Sequence, residues 1–286
     1  TALAGSLVAG SAYAAKMSVS GSASLTFSGG DDKKVQGQGW TMGDSLTFTA
    51  SGDVNDIGVS LSYELDGQGA AIDTVDDHSM TLDFGDAGTL QFSGHGGSSA
   101  MGSVDDVVPN AYEESWDVVT NADQNNVNGL SGDNSFLYTS PDMGGATIKV
   151  GYKPSDDTTN DVSYVDFGIE AAVGMVDGLS VGFAMGETEA VSSVVIDDQT
   201  MYVKYTTGPI TAAYQLSESD GAAGSSDIEF TGMGVSYAVS DDQRFELYAI
   251  GAPQRHGQNL YKQNIATYSQ ELAGDVEGYD VTAFAE

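Results

Sequence analysis

The chain has 286 residues and a formal net charge of -33, from 42 Asp and Glu against 9 Lys and Arg. That balance excludes nucleic acid as a partner, since phosphate is met by clustered cations; the absence of cysteine excludes disulfide staples and thiolate metal sites. No run of eighteen apolar residues follows the N-terminus, and the mean hydropathy of -0.17 is too polar for a helical membrane protein.

Residues 1–14 read as the remnant of a secretory signal. An apolar stretch (Leu3, Leu7, Val8) runs to the small-x-small site Ala12-Tyr13-Ala14, so the mature protein is expected to begin near Ala15. The first strand follows at once: Met17, Val19, Ala23, Leu25 and Phe27 alternate with Ser18, Ser20, Ser22, Ser24 and Thr26, the period of two that puts one set on each face of a sheet. Similar runs are predicted at 40–50, 57–65, 79–85, 88–94, 134–140, 145–153, 162–173, 179–187, 199–206, 209–218, 227–238 and 243–251, with a last one from Gly278. Their connections swing between long and short. Residues 28–39, 66–78, 188–198 and 252–277 read as extended loops, whereas Pro141-Asp142-Met143-Gly144, Thr207-Gly208 and Ser240-Asp241-Asp242 are tight turns. Outer-membrane barrels have short periplasmic turns and longer external loops, an asymmetry that a Greek-key sandwich has no reason to adopt. The predicted fold is therefore all-β, a transmembrane antiparallel up-and-down β-barrel forming one domain over 15–286.

The longest connection, residues 95–133, exceeds what a passive link needs. It carries Asp105, Asp106, Glu113, Glu114, Asp117 and Asp123 and no cation, while Val107, Val108, Tyr112 and Trp116 could anchor it to a wall. It is followed by Asn134-Ser-Phe-Leu-Tyr-Thr-Ser-Pro141 and then Gly144-Gly-Ala-Thr-Ile-Lys-Val-Gly-Tyr152. With the Ala-x-Ala leader and the start Met17-Ser-Val-Ser-Gly-Ser-Ala-Ser-Leu25, this chain resembles the general-diffusion porins of Gram-negative bacteria, particularly the alphaproteobacterial trimeric type. The resemblance implies sixteen strands in the full protein, about fourteen of them present here. The family's last strand usually ends in an aromatic residue whereas this chain stops at Glu286, which implies a C-terminal truncation. It also implies a third outer loop folded into the lumen, its acids lining a constriction, and a homotrimer in contact with outer-membrane lipid and lipopolysaccharide.

Strand parity turns the scarce cations Lys149, Lys204 and Arg244 toward the water-filled face, where they are candidates for a positive wall opposite the acidic loop. Eighteen Asp and Glu stand between Lys34 and Lys149 without one Lys or Arg, so the channel is expected to prefer cations. No cofactor is required. The clusters Gly30-Asp31-Asp32, Asp73 to Asp77 and Asp105-Asp106 offer hard oxygens suited to structural calcium, without the ligand spacing of an EF-hand.

An enzyme is not expected. The one G-x-S-x-G match, Gly178-Leu-Ser180-Val-Gly182, falls inside an alternating strand, not at a strand-to-helix elbow. His78, His95 and His256 lack metal-ligand spacing. The function that follows is a water-filled outer-membrane channel for passive diffusion of small hydrophilic solutes and ions. The alternative is a secreted or surface-anchored structural β-protein of adhesin or surface-layer type, which would stay soluble without detergent.

Overall fold

A computed structural model describes residues 16–28, 39–66, 75–105, 107–109, 127, 129, 132–155, 162–190, 195–221, 228–240, 243–251, 262–270, 274–276 and 279–285. One sheet contains all the strands: β1 Lys16–Ser28, β2 Gly39–Val54, β3 Ile57–Asp66, β4 His78–Asp83, β5 Thr89–His95, β6 Ser135–Thr139, β7 Ala146–Lys153 and β8 Val162–Ala172, followed by β9 Leu179–Ala190, β10 Val195–Thr207, β11 Ile210–Gly221, β12 Ile228–Ser240, β13 Gln243–Gly251, β14 Lys262–Gln270, β15 Gly274–Val276 and β16 Tyr279–Ala285. From β1 to β14 each strand pairs antiparallel with the next, the up-and-down order expected from the alternation of loops. At the seam β16 runs parallel to β1, from Ser22↔Asp280 to Phe27↔Ala285.

Sixteen strands among the described residues exceed the fourteen read from periodicity, because β14 and β15 lie inside the segment expected to be a loop at 252–277. Residues 262–270 offer Ile265 and Tyr268 as their only large apolar side chains, too few to signal a strand; their pairing with β13 (Tyr248↔Ile265, Phe245↔Tyr268) supplies what the pattern lacks. Strands β9 and β10 also run into the loop expected at 188–198, paired through Thr188↔Ile196 and Glu189↔Val195.

Turn chemistry fixes the short-turn end. Asn55 and Asp56 both take positive φ (50° and 64°) between Val54 and Ile57, the two-residue geometry whose twist matches a hairpin. After β6, the Asp142 carboxylate accepts the amides of Gly144 and Gly145, each at 2.9 Å, closing the turn into β7.

Register gives every strand from β1 to β12 the same two faces. Ser22↔Ser45, Ser62↔Ser79, Thr81↔Gln91, Ser93↔Ser135, Thr139↔Lys149, Gly151↔Asp166, Gly168↔Ala184, Thr200↔Ser217 and Gln215↔Gly232 follow one face around the sheet. The opposite face carries Val19, Leu61, Val150, Phe167, Met201 and Val235, all exposed although large and apolar. A soluble protein rarely leaves an apolar patch of more than a few hundred Å² uncovered, and a band crossing twelve strands is what a hydrocarbon layer covers. Tyr205 and Tyr237 toward the short turns, with Tyr63 and Tyr152 toward the long loops, stand on that face at two levels, as interfacial aromatics do. The described apolar cluster lies on the other face, where Met101, Val104 and Val127 of the long connection pack with Ala184 of β9 and Tyr202 of β10. The core is a loop against a wall, not a layer between two sheets.

Candidate channel constriction

The described parts of the connection between β5 and β6 fold onto the inner face. Its stem is closed by a bridge in which Gly97 and Gly132 exchange amide-to-carbonyl bonds of 3.1 and 2.9 Å. Beside the bridge His95 Nδ1 lies 2.5 Å from Asp133 Oδ1, and the Ser135 hydroxyl donates to the Gly132 carbonyl at 3.1 Å. Gly96, at φ 66°, passes so close to the Asp77 carboxylate that a side chain there would strike it. Burial, then repulsion from Asp76 and Glu64, holds the Asp77 carboxyl above the usual carboxylate range.

Past the stem a 3-10 turn, Met101–Ser103, presses on the middle of the wall. Met101 and Val104 are fully buried and Val108 nearly so. Polar bonds tie the turn down: the Met101 amide donates to Asp166 Oδ2 at 2.8 Å, and the Tyr164 hydroxyl donates to the same oxygen at 3.1 Å. Further on, Gln215 of β11 donates through Nε2 to the Asp105 carbonyl, and its Oε1 accepts the Val107 amide at 3.4 Å. Tight pairing of Gln215 is required, because it has no exposed surface and an unmatched buried amide is costly.

Between the seated turn and the short-turn end the wall is charged. Lys149 Nζ lies 3.4 Å from Glu170 Oε2, and the Tyr202 hydroxyl donates to Glu170 Oε1 at 3.0 Å. Both ionic side chains remain partly exposed, so the pair meets channel water.

The structure brings together only some of the residues singled out from sequence. Asp105 lies in the loop as expected but is 6% exposed, tucked under the turn instead of facing water. Asp106, Glu113, Glu114, Asp117 and Asp123 lie outside the described residues, as do residues 1–14 and the acidic positions Asp31, Asp32 and Asp73. Lys149 and Lys204 stand on the inner face, with Lys149 committed to Glu170. Arg244 is placed by its backbone pairing with Ala238, its side chain lying outside those described. Among the described residues no three His, Asp or Glu gather as a metal site. Ser180 sits within β9, paired with Lys204, and not on an elbow. Asp166, Tyr164, Gln215 and Glu170 are not singled out by the sequence reading; for Asp166, Gln215 and Glu170 the available signal is a charged or amide side chain on a strand among hydroxyls and glycines, and for Tyr164 there is none.

A meander whose apolar face points out and whose longest loop folds in is the arrangement of a channel, and the family model of the Gram-negative porins matches residues 1–270. The chain belongs to the Gram-negative porin family. This porin superposes on OmpT of Vibrio cholerae with a TM-score of 0.64 at 14% identity, covering 92% of this chain and 83% of that one. OmpF of Salmonella typhi, solved with daunomycin, gives 0.61 at 11% identity over 89% and 84%. An anion-selective porin from Comamonas acidovorans gives 0.56 at 15% identity over 80% and 76%. At these identities the likeness is one of fold. No curated protein matches this chain in sequence. The porin is thus a non-enzymatic diffusion channel of the outer membrane, and the soluble adhesin or surface-layer alternative falls.

Proposed function

We propose that this porin passes small hydrophilic solutes and ions with a preference for cations, as a homotrimer whose aqueous lumen is narrowed by the loop between β5 and β6. The observation that carries the reading is the seating of that loop on the inner wall through Asp166 and Gln215. Support for the cation preference is electrostatic. The chain holds 42 acids against 9 basic residues, and Lys149 is neutralised by Glu170. An inner wall of low positive charge under an acidic loop attracts cations and repels anions. One structural neighbour is named anion-selective, but its 15% identity carries fold and not charge. The trimer rests on the family. Outer-membrane lipid and lipopolysaccharide would surround its apolar band, and structural calcium would bind, if anywhere, among the acids of the long loops.

The test is planar-bilayer recording of the refolded porin under a salt gradient, with chemical cross-linking in detergent. The reading expects ohmic steps, a reversal potential of cation-selective sign and a trimeric ladder. A reversal potential of the opposite sign would remove the cation preference, and a folded protein without steps would remove the open channel.

A further inference from the structure

We infer that Met143 and Met175, on two adjoining short turns, are the sites at which aqueous peroxides oxidise the folded porin, and that its other described methionines are screened from them. The sequence contains nine methionines. Met17, Met80, Met185, Met201 and Met233 stand on the outer apolar face, in register with Ala50, Leu61, Phe167, Phe183 and Tyr214. Met42 shares that register through its pairing with Leu25. Met101 is fully buried between loop and wall. Among the described residues, Met143 and Met175 are the methionines outside both settings, each in a connection between strands.

Backbone bonds fix each turn and leave its methionine side chain in water. Between β6 and β7 the Met143 amide donates to the Ala146 carbonyl at 2.8 Å. Between β8 and β9 the Val173 amide donates to the Leu179 carbonyl at 2.8 Å and the Val176 amide to the Val173 carbonyl at 2.9 Å, which lifts Met175 to the tip, 94% exposed. The turns adjoin where the Ala172 amide donates to the Gly145 carbonyl at 2.7 Å. Both thioethers therefore stand on one stretch of the short-turn rim, the end that faces the periplasm. Exposure of the bare chain does not separate them from the rest, since Met143 is 52% exposed and Met185 is 54% exposed. Hydrocarbon makes the difference: it covers Met185 and takes up a polar oxidant poorly. At the turns the thioether sulfur attacks one oxygen of hydrogen peroxide. An S–O bond forms, the O–O bond breaks, sulfur gives up two electrons, and the second oxygen takes the proton and leaves as water. The product is a polar sulfoxide that methionine sulfoxide reductases reverse. Water at a turn tip accommodates it, whereas the apolar seat of Met101 would not. Oxygen uptake is thus directed to positions where it leaves the fold intact.

The chain's lack of cysteine leaves methionine as its sulfur-bearing target. The full chain, refolded into phospholipid vesicles, is treated with hydrogen peroxide, and the sulfoxide at each methionine is followed by peptide mass spectrometry. Met175 and then Met143 should oxidise about ten-fold faster than Met185, Met201 or Met233, and unfolding in guanidinium should abolish the difference. Oxidation of Met185 or Met201 as fast as Met175 in vesicles would overturn the assignment, and so would protection of Met143 and Met175. An unequal order that survives unfolding unchanged would trace it to local sequence and overturn it as well. Protein carrying the first two oxygen atoms should keep its heat-resistant folded mobility, and loss of that mobility would contradict the claim that these positions tolerate the sulfoxide. Met143→Leu with Met175→Leu nearly conserves side-chain volume and should eliminate the fast uptake. Fast uptake undiminished in that double variant would remove both residues from the site.

Discussion

The two halves of the wall differ on the inside and agree on the outside. From β1 to β6 the middle of the inner face is mainly hydroxyls, with Lys16, Asp53, Glu64, Asp66 and Asp83 toward its ends: Ser18 meets Thr49 at 2.5 Å, Ser22 meets Ser45 at 2.9 Å, and Gln91 reaches Ser79 at 3.1 Å. From β7 to β12 it carries glycines, Tyr164, Asp166, Glu170, Tyr202 and Gln215, with the loop on top of them. The outer faces of both halves are the same apolar band. Lipid therefore constrains one face of every strand alike, while the inner face is free to specialise. One half holds the long loop, and on the proposed reading the water path runs along the hydroxyls of the other.

The largest effect is expected where the loop meets the specialised half. Met101→Ala removes a fully buried side chain between loop and wall, a change that costs about 2–5 kcal/mol where a cavity remains. The loop should then become open to external protease while the barrel stays folded; a loop as resistant as the wild type would show that the seat does not depend on packing. Next in size, Val203→Arg on β10 and Leu61→Arg on β3 should each cost about 2–4 kcal/mol in bilayers, measured by denaturant titration in vesicles. Equal costs would sharpen the claim that the halves differ only inside, and a large inequality would break it. Glu170→Gln unpairs Lys149 in the loop-bearing half. Stability should change by less than about 1 kcal/mol, since both side chains are partly exposed, but the reversal potential should move toward anions. The counterpart Ser62→Ala in the hydroxyl half should leave it unmoved.

The smallest effect concerns the stem. Because the Asp77 carboxyl is held above its ordinary value, ionising it weakens the folded state: its contribution is fully present below about pH 3.8 and is lost as pH rises through the folded value. Asp77→Asn should match the wild type in acid and exceed it at neutral pH by less than about 0.5 kcal/mol, the side chain being partly solvated. Denaturation at pH 3 and pH 7 checks the sign.

Much of this architecture was legible because alternation is local. Met17 to Phe27 announces β1 within its own eleven residues, and strands through β13 follow the same rule. Length alone marked residues 95–133 as the special loop. The grip on that loop was not legible, because it depends on register: Met101 and Asp166 are 65 residues apart, and Gln215 is 110 from Asp105. For the same reason the sequence reads Lys149 as part of a positive wall with Lys204 and Arg244, without the Glu170 that strand pairing sets beside it. β14 escaped notice because its pairing, not its own pattern, makes it a strand.

The difference between the halves can be measured directly by placing single cysteines in this cysteine-free chain at Ser60, exposed on the inner face of β3, and at Thr200, fully buried on the inner face of β10. A charged, membrane-impermeant thiol reagent applied to open channels should block current through Ser60→Cys and leave Thr200→Cys unaffected. Block at Thr200→Cys with none at Ser60→Cys would place the water path on the other side and contradict the account.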